Sequence, residues 1–227
     1  MAEIIDWPCG LLRLTYQRMF IRNISRSAGI SMLGQDQIID PVAQWWEIQI
    51  SLTVYHEAPM IKAFEAKVSQ MRGRANIAAL CLFDAYGYDE TVAPRQSSFS
   101  DGTWFSDGTG FADPSLGVEP LVVAADVAAG SNSLTVTLTD PVRPHLRIGD
   151  YFSVNGFCYH AVGRDIAAGS VRFEPMLRAA LPAGTILETA RPVIYARFAS
   201  ADEGQRGRDL TNYSEPVTLS FVEAFDR

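Results

Sequence analysis

The sequence predicts a mainly β fold with one α-helix. The expected form is an α+β platform of β-sandwich or split-barrel type that carries an inserted small β-barrel or sandwich module. Three observations predict it. Residues 45 to 55 alternate strictly, with Trp46, Ile48, Ile50, Leu52 and Val54 on one face and Glu47, Gln49, Ser51 and Thr53 on the other. Ile61, Phe64, Val68 and Met71 recur at helical spacing. From Leu121 to about Ala190 short apolar runs are cut by turn residues at the cadence of a small barrel or sandwich.

In chain order, residues 11 to 30 contain a strand with partial alternation around Met19, Ile21 and Ile24, punctuated by Gly29 and Gly34. The strict strand at 45–55 follows. Glu57-Ala58-Pro59 opens the helix, since proline is tolerated in a first turn, and Gly73 stops it. Lys62, Glu65 and Lys67 lie away from its apolar face. Ile77 to Phe83 is almost wholly apolar and predicts a central, buried strand.

Residues 84 to about 120 change character. Pro94, Gly102, Gly108, Gly110, Pro114 and Gly117 mark a loop, and inside it Phe99-Ser-Asp-Gly-Thr-Trp104 is followed by Phe105-Ser-Asp-Gly-Thr-Gly110 and Phe111. Asp-Gly signals a tight turn. Beyond the loop, Leu134, Val136 and Leu138 alternate with threonines, and Tyr151–Gly156 with Phe157–Val162 reads as a hairpin. Ser170–Pro175 and Thr185–Thr189 supply further strands. Val193–Phe198 and Val217–Val222 are two closing strands joined by a polar connector whose Asp202, Glu203, Arg206, Arg208 and Asp209 suggest a solvated, mobile segment. The simplest arrangement returns these two strands to the first sheet. It gives a discontinuous platform of residues 1–94 plus 191–227 and an inserted module of residues 95–190, with the aromatic, glycine-rich loop at 95–120.

Composition narrows the function. The 227 residues carry a net charge of −7, which disfavours a nucleic-acid partner needing a basic face. No apolar run reaches the roughly 18–20 residues that span a bilayer. The N-terminal stretch places acids where a secretory signal carries positive charge. Lys62 and Lys67 are the only lysines against 17 arginines, a bias that reflects either G+C-rich codons or arginine-laced subunit contacts. Cys9, Cys81 and Cys158 are odd in number and far apart, and read as reduced, buried small hydrophobes.

Catalytic motifs are missing. The histidines are His56, His145 and His160, and no Gly-x-Ser-x-Gly elbow or phosphate-binding glycine loop is present. Cys158 and His160 share a strand face but lack the further ligands of a zinc site. Asp101 and Asp107 are too sparse for a calcium loop. Glu174 with Glu188, or Asp84 with Asp89, define no site by spacing. The reading is therefore non-enzymatic, with no catalytic residue, metal or cofactor. Phe99, Trp104, Phe105 and Phe111 either anchor a contact with a neighbouring subunit or cover their own domain's core.

One layout is familiar. Tyr16-Gln-Arg-Met-Phe-Ile-Arg, Trp45-Trp46-Glu-Ile-Gln-Ile and Met71-Arg-Gly-Arg-Ala-Asn-Ile are followed by Leu146-Arg-Ile-Gly-Asp-Tyr-Phe-Ser-Val-Asn-Gly and Phe173-Glu-Pro-Met-Leu-Arg178. The chain then closes with Val217-Thr-Leu-Ser-Phe-Val-Glu-Ala-Phe. Together these resemble bacteriophage tail structural proteins of the distal-tail or tail-tip (baseplate) type. The resemblance implies a virion protein made in the bacterial cytoplasm. It implies a homo-oligomeric ring, commonly a hexamer, that joins the tail tube to hub or receptor-binding proteins, without nucleic acid or membrane insertion. Interface candidates are then Trp45, Trp46, Arg72 and Arg74 in the platform and Phe99, Trp104, Phe105 and Phe111 in the loop. Two other readings stay open: a glycan- or receptor-binding module using Tyr151, Phe157 and Tyr159, and a carboxylate-dependent glycan hydrolase.

Overall fold

The computed structural model describes residues 2–7, 9–11, 14–39, 43–53, 57–84, 96–106, 110–112, 121–137, 146–165, 168–189, 191–205, 207 and 216–226. Among them the protein is mainly β, with one α-helix, several sheets and a nearly closed barrel-like sheet. The strands are β1 (Ile4–Asp6), β2 (Leu14–Asn23), β3 (Arg26–Ile30), β4 (Asp36–Ile39), β5 (Gln44–Leu52), β6 (Ile77–Cys81), β7 (Gln96–Ser97) and β8 (Phe111–Ala112). Next come β9 (Leu121–Val123), β10 (Ser133–Thr137), β11 (Tyr151–Val154), β12 (Phe157–Asp165), β13 (Ser170–Glu174), β14 (Ile186–Leu187), β15 (Val193–Phe198) and β16 (Val217–Glu223). The helix α1 spans Ala58–Met71. The chain forms two compact units, Met1–Phe83 with Ile194–Arg227, and Asp84–Val193.

The first unit is a six-stranded sheet in the order β1-β6-β15-β16-β5-β2. Strand β16 lies between β15 and β5, antiparallel to both, with Phe221 opposite Phe198 on one side and Ile48 on the other. The alternation of β5 is reproduced residue by residue: Trp46, Ile48, Ile50 and Leu52 are buried and the residues between them are half-buried. Val54 and Tyr55 lie outside the described residues. Helix α1 turns Phe64 and Met71 inward. It ends on Arg72 and Gly73, both in the left-handed region (φ 48° and 63°).

Trp7, fully buried, sits where the helix and the sheet meet. Its ring lies edge-on to Phe64, Phe198 and Phe221 at centroid distances of 6.0, 6.0 and 5.8 Å. Such edge contacts add roughly 0.5–1.5 kcal/mol each beyond area burial. Two polar side chains beside this core bond neighbouring backbone groups. The Asn76 side chain accepts from the Glu3 amide at 3.1 Å and donates to the Gln70 carbonyl at 2.7 Å, tying β1, the helix end and β6. Arg197 donates to the carbonyls of Arg74 and Ala75 and to Asp226.

Two expectations are corrected in this unit. Cys81, at the end of β6, is disulfide-bonded instead of reduced; the Cys9 side chain lies outside the described residues, and Cys158 is a buried thiol. The connector after β15 is not simply solvated. Glu203 accepts from the Ser220 amide at 3.0 Å, satisfying an N–H of β16 beyond the end of β15, and Gly204 (φ 80°) lies against Val68. Arg206, Arg208 and Asp209 lie outside the described residues.

The second unit holds a six-stranded antiparallel sheet in the order β11-β12-β13-β10-β9-β14. Its first and last strands meet through reciprocal hydrogen bonds between the backbones of Ser153 and Glu188, at 2.8 and 2.9 Å. That bridge brings the sheet almost to a closed barrel. Asn155 and Gly156, both at positive φ (51° and 72°), form the two-residue turn between β11 and β12, as a primed hairpin turn requires. The interior is apolar: Phe152, Tyr159 and Phe173 pack ring to ring among Leu121, Val123, Leu134, Val136, Val171 and Leu187. The buried Tyr159 hydroxyl accepts from the Arg178 amide at 3.1 Å. Leu138 lies outside the described residues.

Two stability measurements follow. A Cβ on Gly204 would fall 2.8 Å from Val68 Cγ2, so Gly204→Ala should cost about 2–3 kcal/mol through the clash and the positive φ together. Gly130→Ala, with φ 83° and nothing within 4 Å, should cost about 1 kcal/mol through φ alone. Equal losses in calorimetric unfolding would contradict the packing argument. Tyr159→Phe should destabilise the barrel by about 1–3 kcal/mol by leaving the Arg178 amide unsatisfied; an unchanged melting temperature would contradict it.

Candidate assembly surface

The aromatic loop is a short hairpin. Gln96 pairs with Ala112 and Ser97 with Phe111. Just beyond β7 the Phe99 amide donates to the Thr103 carbonyl at 2.8 Å and the Gly102 amide donates to the Phe99 carbonyl at 2.9 Å, with Gly102 at φ 82°. The Asp101 carboxylate accepts from the Thr103 amide at 3.0 Å and its hydroxyl at 2.6 Å. Those two bonds, the hydroxyl first, hold the Asp101 carboxyl below the ordinary aspartate value. The first copy of the repeat is thus a turn-forming unit, which explains its Asp-Gly-Thr. Asp107, Gly108 and Thr109 of the second copy lie outside the described residues.

The hairpin gathers three of the expected anchors. Trp104 and Phe105 are 49% and 42% exposed, and Phe105 meets half-buried Phe99 edge-on at 4.9 Å. The Phe111 side chain is not among those described. In the other unit, Arg72 and Arg74 are exposed beside the helix C-terminus, and half-buried Trp45 donates from its indole nitrogen to Glu47 at 3.3 Å. Trp46 is a correction. At 2% exposure it belongs to the core of its own sheet, because it occupies the inward register of β5, and its backbone amide donates to Glu223 at 3.1 Å.

The barrel carries a second polar cluster. His160 stacks on Tyr151 at 4.8 Å, lies opposite Glu174 in the ladder, and has Nε2 3.1 Å from the Gly149 carbonyl oxygen. Burial, then the neighbouring Cys158 and Asp84, push the Tyr151 hydroxyl above its ordinary value; it stays a neutral donor at physiological pH. Cys158 is fully buried beside the ladder. Among the described residues no group of three or more His, Cys, Asp or Glu could hold a metal ion. His56, His145 and Asp89 lie outside the described residues. The expected glycan platform loses two of its three aromatics: Tyr159 is 1% exposed inside the barrel and Phe157 packs against the same core.

A second hairpin, absent from the sequence-based expectations, joins β3 to β4. Arg26 pairs with Ile39 and Ser27 with Ile38, continuing outward from the β2–β5 ribbon, whose last pair is Asn23 with Gln44. Every described side chain of β3 is exposed, and Ile30, Met32, Leu33 and Ile38 are 77%, 108%, 88% and 67% exposed. The available signal was Met32-Leu33 between Gly29 and Gly34, two apolar residues where a turn is expected.

Comparison with known protein families and with curated proteins finds no match to this chain. The site is therefore read from its own chemistry.

The Asp101 turn yields a pH test. A carboxyl whose folded value is depressed contributes stability above its unfolded value, near 3.8. That contribution is lost as pH falls through the lower folded value. Carbon-detected NMR titration should place the Asp101 midpoint below 3.8, and Thr103→Val should move it back upward. Coincident midpoints would contradict the turn geometry.

Proposed function

We propose that this chain is a structural virion protein of a phage tail: a ring-forming distal-tail or baseplate component that joins the tail tube to the host-adsorption apparatus. In this reading the sheet unit is the ring-forming platform, of sandwich or split-barrel type. The barrel unit is a peripheral module inserted into it, facing receptor-binding or hub proteins.

The observation that carries the proposal is the division of labour along the chain. One sheet is completed by strands from both ends, and between β6 and β15 the chain makes a separate barrel with its own core. A subunit of this plan can hold one surface constant for its own copies and vary another for peripheral partners. Two hairpins that expose large apolar side chains support it, because such patches mark interaction surfaces. The commitment of Asp101 to Thr103 also favours assembly over carboxylate catalysis. The layout's resemblance to tail proteins supplies the specific setting.

Native mass spectrometry of the full chain at micromolar concentration is expected to show a closed oligomer, and negative-stain images are expected to show rings. A strictly monomeric chain that also fails to bind tail-tube protein would overturn the proposal.

A further inference from the structure

The N-terminal segment is tied to its sheet by few bonds. Strand β1 ends the sheet order, is three residues long, and pairs in parallel with β6 from Ile4 opposite Ile77 to Asp6 opposite Ala79. The Ile77 amide donates to the Glu3 carbonyl at 2.9 Å, and the Trp7 amide donates to the Ala79 carbonyl at 3.3 Å. Yet this segment delivers Trp7, fully buried among Phe64, Phe198 and Phe221. Chain ends held by so short a ladder fray unless tied down. A covalent tie is present at this place. Cys81, the last residue of β6, is disulfide-bonded, and Cys158 is a thiol. The sequence holds three cysteines, so the bond within this chain falls to Cys9. Register agrees. Trp7 and Ala79 share a hydrogen bond, and Cys9 and Cys81 each come two residues later on parallel chains. Neighbouring strands run about 4.8 Å apart, inside the roughly 4.4–6.8 Å that separates the Cα atoms of a disulfide.

We propose that the Cys9–Cys81 bond is a redox-sensitive staple, which locks the Trp7 segment onto β6 in an oxidising medium and releases it in a reducing one. Nothing in this staple depends on the assembly proposed above. Cys81 is half-buried, whereas Cys158 is fully buried, so a small thiol reaches the first and not the second. One thiolate of a small dithiol attacks a sulfur of the bond, and the other cysteine leaves as a thiolate and takes a proton. The reagent's second thiol then resolves the mixed disulfide. Two electrons pass from the dithiol, which becomes a cyclic disulfide, to the two cysteines, which become thiols. Oxidised glutathione runs the pair the other way. Disulfides persist in oxidising surroundings and are kept reduced in the cytoplasm. A chain held in a reducing cytoplasm therefore has a looser first unit than the same chain in an oxidising medium. The bond closes a loop of about 70 residues, a constraint on the unfolded chain that corresponds to a melting shift of roughly 10 °C at this size.

The test uses the full chain after exposure to oxidised glutathione. Iodoacetamide in denaturant is expected to alkylate one cysteine without reductant and all three after reduction. Trypsin is expected to release residues 1–13 linked to residues 75–95. Dithiothreitol is expected to lower the melting temperature by about 10 °C and to speed hydrogen exchange at the Trp7 and Ile77 amides at least about tenfold. Cys9→Ala with Cys81→Ala is expected to match the reduced chain and to ignore dithiothreitol. Three free thiols in the oxidised chain would overturn the staple, as would a link from Cys81 to Cys158 or to a second chain. A reduced chain with unchanged melting and exchange would overturn it too.

Discussion

Trp7 is the contact on which the first unit depends. Three phenylalanines surround it edge-on, one from the helix and two from the last two strands, so a single side chain near the N-terminus fixes elements more than two hundred residues apart. Its indole N–H is buried with no acceptor among the described residues, a cost of about 1–3 kcal/mol that the packing of the rings must exceed. The polar groups nearby follow from the same convergence. Asn76 and Arg197 take up the backbone groups left over where the helix ends and the sheet begins. Strand β16 can then lie centrally, hydrogen-bonded on both sides.

The barrel obeys a different constraint. Three of its pairings are hairpins between consecutive strands, two join strands farther apart, and the Ser153–Glu188 bridge links its two ends. Its core is its own, from Phe152, Tyr159 and Phe173 outward. In the first unit, strands far apart in sequence pair, β1 with β6 and β16 with β5. Non-local pairing is the slower event in folding, so the barrel can form without waiting for the end of the chain.

The sequence disclosed those elements that have one wet and one dry face. The alternation of β5, the helical spacing of Phe64 and Met71, and the Asn155-Gly156 hairpin each record a burial pattern in residue order. Elements without such a pattern stayed hidden. The β3–β4 hairpin is exposed on both sides, so nothing in its residues alternates, and only the misplaced Met32-Leu33 betrays it. Trp46 shows the opposite error: an aromatic attractive as an interface anchor is claimed by its own core through register. The Cys81 disulfide and the Glu203 contact with β16 depend on residues distant in sequence, and no local pattern announces them. Within the candidate surface, the Asp-Gly turn of the aromatic loop was legible because turn chemistry is local. The exposure of Trp104 and Phe105 was not, because it depends on what fails to cover them.

The central claim is that both ends of the chain form one cooperative unit around Trp7, separate from the barrel. Hydrogen–deuterium exchange on Trp7→Ala tests it most directly. The account predicts that amides of β5, β6, β15 and β16 accelerate together, by a common factor, while those of β10 to β13 keep their protection. Acceleration of the N-terminal strands alone, with β15 and β16 unchanged, would contradict it.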